Sequence, residues 1–236
     1  MADQTLKALL IQTVDAARLR EPEFHALCND RPATSDRWTA RDHVVHLTAW
    51  RRHAAAVLRA ASRDDSFPEP AIPDIDAENA RVYAAGQGMP ADRVIAGAVD
   101  SYRALADAIE SCSPEQLGRP RAGRPTEVWR VVPGNGHPHL AQHLVQWHIE
   151  NGDVAAAQAV ARWNRGLDDL FSDPTSRAAA RYNLACFYAR VNDAEQAVSL
   201  IGEAFAIDDK LRDWAKSDPD IDNIRDRPEV QALLAN

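Results

Sequence analysis

His139 and His143 stand four residues apart in GHPHLAQHLVQWHIENGD (residues 136–153), a stretch that holds four of the chain's eight histidines. An α-helix turns about 100° per residue, so these two imidazoles lie about 40° apart and one turn along. That is the geometry with which two histidines hold one metal ion. Leu140 stands where the HExxH motif of zinc proteases carries its general-base glutamate, so that mechanism is not supported. His148 falls on the opposite face from His139, and His137, just before Pro138, sits at the helix entrance. A mononuclear site therefore needs a third ligand from another element. The best candidate is His46 in WTARDHVVHLTAWRRH (residues 38–53), which shares a helix face with Asp42, Trp50 and His53. An inward-pointing His46 opposite the pair completes a three-histidine site whose open positions take water or substrate. Asp42, Trp50 and His53 are the candidate pocket residues. His53 is about 10 Å along the helix from His46, too far to share its ion but able to line the same cavity. The alternative is a polar helix face or a set of core histidines held by hydrogen bonds. For Asp42, stabilising the first turn of its helix is explanation enough. For His43 and His53 a solvated or hydrogen-bonded surface position is the simpler reading.

Helical periodicity must position these residues. Leu6, Leu9, Leu10, Val14, Ala17 and Leu19 predict a first helix over residues 5–27. The polar, proline-marked NDRPATSDRW (29–38) is a loop, and a second helix starts near Thr39. A long loop, SRDDSFPEPAIPDID (62–76), precedes a helical stretch over 77–86. Residues 92–111 continue as helix, with Val94, Ile95, Ala98, Tyr102, Leu105 and Ile109 on one stripe. A turn-rich segment (111–136) delivers the chain to the histidine-bearing helix. Four principal helices satisfy the count a bundle needs.

The remainder fits tetratricopeptide spacing. From Leu184, the residues Ala185, Tyr188, Ala197, Ile201 and Ala204 fall where the repeat wants small or apolar side chains, with a turn at Asn192–Asp193. A weaker copy lies 40 residues upstream, where Gly152–Asp153 precedes Ala157 and Leu144 corresponds to Leu184. Trp214, Ile221, Ile224, Val230 and Leu233 are expected to cap the last groove. The expected architecture is all-α: a four-helix bundle over residues 1–153, then tetratricopeptide-like hairpins over 154–236, with the last bundle helix shared.

The segment DRWTARDHVVHLTAW (36–50) resembles the second-helix signature of the DinB-like four-helix family. IDAENARVYA (75–84) and VWRVVPGNGHPHLAQH (128–143) are similar to helix-entry segments of the branch that includes the colibactin self-resistance cyclopropane hydrolase. The resemblance covers about residues 1–155. It implies a divalent ion, zinc or nickel, bound by a helix-2 histidine and an HxxxH pair, which fall on His46, His139 and His143. It also implies hydrolase or thiol-transferase chemistry and is compatible with a homodimer. The tetratricopeptide-like tail is not part of the common family pattern.

Composition narrows the partners. The net charge is −8, which argues against nucleic acid and against an anionic membrane surface, both of which need a basic patch. No apolar run approaches a membrane span, and the first residues read as a helix rather than a signal peptide. Cys28, Cys112 and Cys186 are odd in number and far apart, so no disulfide framework or thiolate cluster is expected and a cytoplasmic location is the default. Two functions remain. One is a metal-dependent hydrolase, or a transferase using a low-molecular-weight thiol, acting on a small electrophile. The other is a non-catalytic protein whose repeat region binds a protein or peptide partner and whose ion is structural or vestigial.

Overall fold

The computed structural model describes residues 5–29, 37–63, 72, 74–121 and 126–235. Most of the loops expected over 29–38 and 62–76, and residues 122–125 of the turn-rich segment, lie outside them. Among the described residues the fold is helical, with no strand. The chain divides into two compact units at Leu140/Ala141.

The first unit is built on α1 (Leu6–Arg20), the single-turn α2 (Pro22–His25), α3 (Ala40–Ser62), α4 (Ile75–Gly86), α5 (Ala91–Ser111), the short α6 (Pro114–Gly118) and α7 (Val131–Asn135), and the start of α8 (His137–Glu150). α3 and α5 pack along most of their lengths, α1 packs on α5, and α4 lies against α3. Leu10, Val44, Leu47, Leu58, Ala98, Leu105 and Ile109 form the floor of the core. The first helix does not run to residue 27. It ends at Arg20 because Pro22 has no N–H to continue the ladder and instead opens α2. α3 begins where the sequence placed it. Thr39 is its N-cap, and Thr39 and Asp42 form a reciprocal capping box. Gly86 is required at the α3–α4 crossing, where an added Cβ would come within 2.7 Å of Val45 Cγ1. The turn-rich segment before α8 holds α6, a 3₁₀ turn and α7 rather than open loop.

The second unit comprises the rest of α8, then α9 (Val154–Asp168), α10 (Pro174–Arg190), α11 (Ala194–Ile207), α12 (Leu211–Ala215), α13 (Asp222–Arg225) and α14 (Pro228–Ala235). α10 packs on both α9 and α11, and Ala178, Leu184 and Ala185 of α10 and Ala197, Ile201 and Ala204 of α11 are buried. Two turns in this unit share one geometry. Gly152 (φ +79°) and Asn192 (φ +62°) are both left-handed. Each is followed by an aspartate whose N–H donates to the carbonyl five residues back: Asp153 to His148 at 2.8 Å and Asp193 to Tyr188 at 2.9 Å. Each aspartate then caps the next helix, accepting from Ala156 N and Gln196 N. At the C-terminal end Ile221, Ile224 and Val230 are buried, and Leu233 reaches Gly202. Trp214 departs from the expected cap. It is 64% exposed, because its Nε1–H donates to Asp218 Oδ2 and holds the ring at the surface, while Ala215 takes the buried position.

Candidate metal centre

α3 carries His46 inward because the helix buries a wide face that also holds Val44, Leu47, Arg51 and Leu58. His46 Nε2 lies 3.0 Å from His139 Nε2, and the rings meet edge to face with centroids 5.0 Å apart. His143 follows one turn later on the same helix. One ring nitrogen from each of the three histidines falls within 4.8 Å of the other two. Two nitrogens bound to one ion at about 2.0–2.1 Å sit about 2.9–3.4 Å apart, so the observed pair already stands at a bridging distance.

The electrostatics suit a cation. Removal from water pushes the His46 imidazole down to about 4, with the nearby His43 adding to the shift. The same cause takes His139 down to about 3, helped by His46 and by the Arg51 guanidinium. Both rings are therefore neutral at pH 7, the state in which an imidazole lone pair binds a metal. The donor set fits a borderline divalent ion such as zinc or nickel. Among the described residues no carboxylate belongs to the cluster.

The remaining candidates are placed around it. Trp50 stands beside His46 at 6.2 Å between centroids, and its Nε1–H donates to Asn79 Oδ1 at 3.1 Å, tying α3 to α4. His53 meets Trp50 edge-on at 5.7 Å and is not in the nitrogen cluster. Asp42 is spent on structure: Oδ2 accepts from Thr39 N and Oγ1, and Oδ1 accepts from Gln87 Nε2 at the end of α4. His43 is not a surface residue. It is 1% exposed and stacks on Phe24 at 5.1 Å.

Two features escaped the sequence reading. Trp38 lies 5.1 Å from His46 and stacks on Tyr83 at 6.0 Å, so it walls the site from the residue before the N-cap. The second is a buried ionic cluster. Arg51 is fully buried and grips Glu21 with Nη1–Oε2 at 2.6 Å and Nη2–Oε1 at 2.9 Å, while Nε donates to Ser101 at 2.8 Å. Tyr102 donates its hydroxyl to Glu21, and the guanidinium lies 4.0 Å over the Tyr102 ring. Burial would raise the Glu21 carboxyl. The Arg51 charge and the hydrogen bonds from His25, Tyr102 and Arg51 outweigh it and hold the pKa below the usual range. The signal for this cluster was present: Arg51 occupies the apolar stripe of α3, seven residues from Val44 and from Leu58.

Fold and cluster together define a helical-bundle protein with three histidines able to hold a metal ion. The family of the mycothiol maleylpyruvate isomerase N-terminal domain matches residues 16–134, half of the chain. The chain belongs to that family, whose helical domain is DinB-like and whose superfamily binds divalent metals. The matched residues include Glu21, His46, Arg51 and Tyr102 and stop short of α8. No curated protein and no solved structure matches the chain significantly. Among the described residues no helix is long and apolar enough to cross a membrane.

Proposed function

We propose that this protein is a mononuclear metal enzyme that activates a low-molecular-weight thiol of the mycothiol class against a small electrophile. The observation that carries the reading is the convergence of His46, His139 and His143 in a family named for a mycothiol-linked isomerase. A divalent ion held there would supply Lewis acidity, lowering the pKa of a thiol or water toward neutrality. The chain's own contribution is threefold. Three uncharged ligands leave the centre net positive, which favours an anionic thiolate or hydroxide. Trp38 and Trp50 restrict water around His46 and offer aromatic faces to a substrate. Among the described residues no carboxylate stands in the cluster as a resident base, so the proton leaves through solvent or through the substrate itself. The three cysteines, none in a disulfide, agree with a reducing cytoplasm, where such thiols are kept reduced. Hydrolysis is the same reading with water in place of the thiol.

The helices after α8 are assigned to tetratricopeptide-like hairpins that bind a protein or peptide partner. The repeated left-handed turn and aspartate cap at Gly152–Asp153 and Asn192–Asp193 support this. In the rival reading the chain acts only through these hairpins and its ion is structural. The deciding experiment loads the full chain with cobalt and titrates a low-molecular-weight thiol. A thiolate-to-cobalt charge-transfer band that is absent from His46→Ala supports the enzyme reading. A loaded protein with no band at saturating thiol supports the structural one.

A further inference from the structure

We propose that the groove between α3, α4 and α5 is a second binding site, distinct from the histidine cluster, for a small amphipathic organic acid. The groove encloses about 510 Å³ and is lined by Val45, Thr48, Ala49 and Arg52 of α3, by residues of α4 and by the start of α5. That volume is within the roughly 300–1,000 Å³ of ligand pockets. Val45, Thr48, Ala49 and Arg52 recur at helical spacing on one stripe of α3, turned about 100° from the stripe of His46 and Trp50. A ligand here does not compete for the histidines.

The lining has two chemistries. Its floor is apolar, made by Val45, Val82, Ala85, Met89 and Val94. Its charged groups are cationic: among the described residues Arg52, Arg81 and Arg93 line it and no aspartate or glutamate does, in a chain whose net charge is −8. Arg81 is paired with Glu78. Arg52 and Arg93 form no ion pair among the described residues. Arg52 Nη2 makes only a long contact, 3.4 Å, to the Gly97 carbonyl, in space left by the missing Cβ of Gly97, which would meet the same Nη2 at 3.3 Å.

A second observation points the same way. Arg41 extends the stripe by one turn and is 3% exposed. It donates at 3.4 Å to the carbonyl of Met89, a residue of the lining, and its Nε makes no hydrogen bond. It too has no carboxylate partner among the described residues. A buried guanidinium without an anion is costly, and a ligand carboxylate at this end of the groove offsets that cost. The apolar floor excludes inorganic phosphate as the natural occupant, and the concave shape and net charge of the chain exclude an anionic membrane surface. A carboxylate on an apolar body satisfies both linings.

The test is calorimetric titration of the metal-stripped full chain with decanoate, with decanol and inorganic phosphate as controls. Saturable decanoate binding is expected, at least about tenfold tighter than decanol, because charge-assisted hydrogen bonds to two guanidiniums are lost with the alcohol. Arg52→Ala/Arg93→Ala changes two exposed side chains and is expected to weaken decanoate by about tenfold or more. Ala85→Trp, at an exposed position of α4, fills the groove and should abolish binding. His46→Ala should leave it unchanged. Equal affinity for decanol, undiminished binding by the double variant, loss of binding in His46→Ala, or no saturable binding at all would each overturn the proposal.

Discussion

Two polar clusters share α3 and differ in how they meet their needs. Around Arg51, every strong donor has an acceptor: Glu21 takes the guanidinium bidentately, Ser101 takes Nε, and Tyr102 closes the network. Around His46, ring nitrogens of three histidines crowd within 4.8 Å of one another, and among the described residues no carboxylate belongs to the group. The first arrangement is complete within the chain. The second gathers ring nitrogens of three histidines where one cation could use them together. Burial alone therefore does not mark a functional site; the distinction lies in whether the cluster is closed by its own members.

The largest expected effect breaks the closed cluster. Arg51→Ala leaves Glu21 buried and uncompensated and should cost about 3–5 kcal/mol, read as a fall in the urea midpoint. Arg51→Ala together with Glu21→Gln should recover part of that loss, since the stranded charge is gone.

Breaking the open cluster should do the opposite. His46→Ala or His139→Ala is expected to abolish metal retention, measured by elemental analysis after dialysis. The apo forms of these variants should be no more than about 1–2 kcal/mol less stable than wild-type apo protein, because no charge is stranded. A loss as large as that of Arg51→Ala would show that the histidines belong to the structural core.

Acid separates the clusters by pH. The folded pKa values of His46 and His139 are depressed to about 4 and about 3, so their contribution is present above the unfolded value of 6.5 and is lost as pH falls toward those figures. Glu21 is also depressed, so its contribution persists to lower pH and goes only as pH falls below 4.5 toward its folded pKa. Unfolding free energy of the apo protein should therefore decline in two stages, and Arg51→Ala should remove most of the lower one. In the metal-loaded protein the upper stage should coincide with proton-driven metal release.

The smallest effects lie at the supports. Thr39→Ala removes one half of the capping box and should cost about 1 kcal/mol without changing metal content. Asn79→Ala, which deprives Trp50 of its acceptor, is expected to cost a similar amount.

Much of this was legible in the chain. Helical spacing alone put His139 and His143 on one face, and Thr39 with Asp42 marked the start of α3. The third histidine had to come from another helix; the face of the second helix offered His46, and the second-helix resemblance agreed. What remained hidden needed contacts across long sequence separations. Glu21 and Arg51 are 30 residues apart, and Arg51 and Tyr102 are 51 apart. Trp38 precedes its helix, so periodicity could not aim it. Trp214 is expected to cap the last groove, yet one hydrogen bond to Asp218 keeps it at the surface. The surface position expected for His43 fails because the sequence gives no hint of the Phe24 ring it stacks on.

The central claim is that His46, His139 and His143 hold one ion in common. The most direct measurement is the metal content of the purified full chain beside that of His46→Ala, at neutral pH and after identical dialysis. The account predicts one divalent ion per wild-type chain and essentially none in the variant, with both proteins folded by circular dichroism. Full occupancy in folded His46→Ala, or a wild-type chain that takes up no divalent ion, would contradict it.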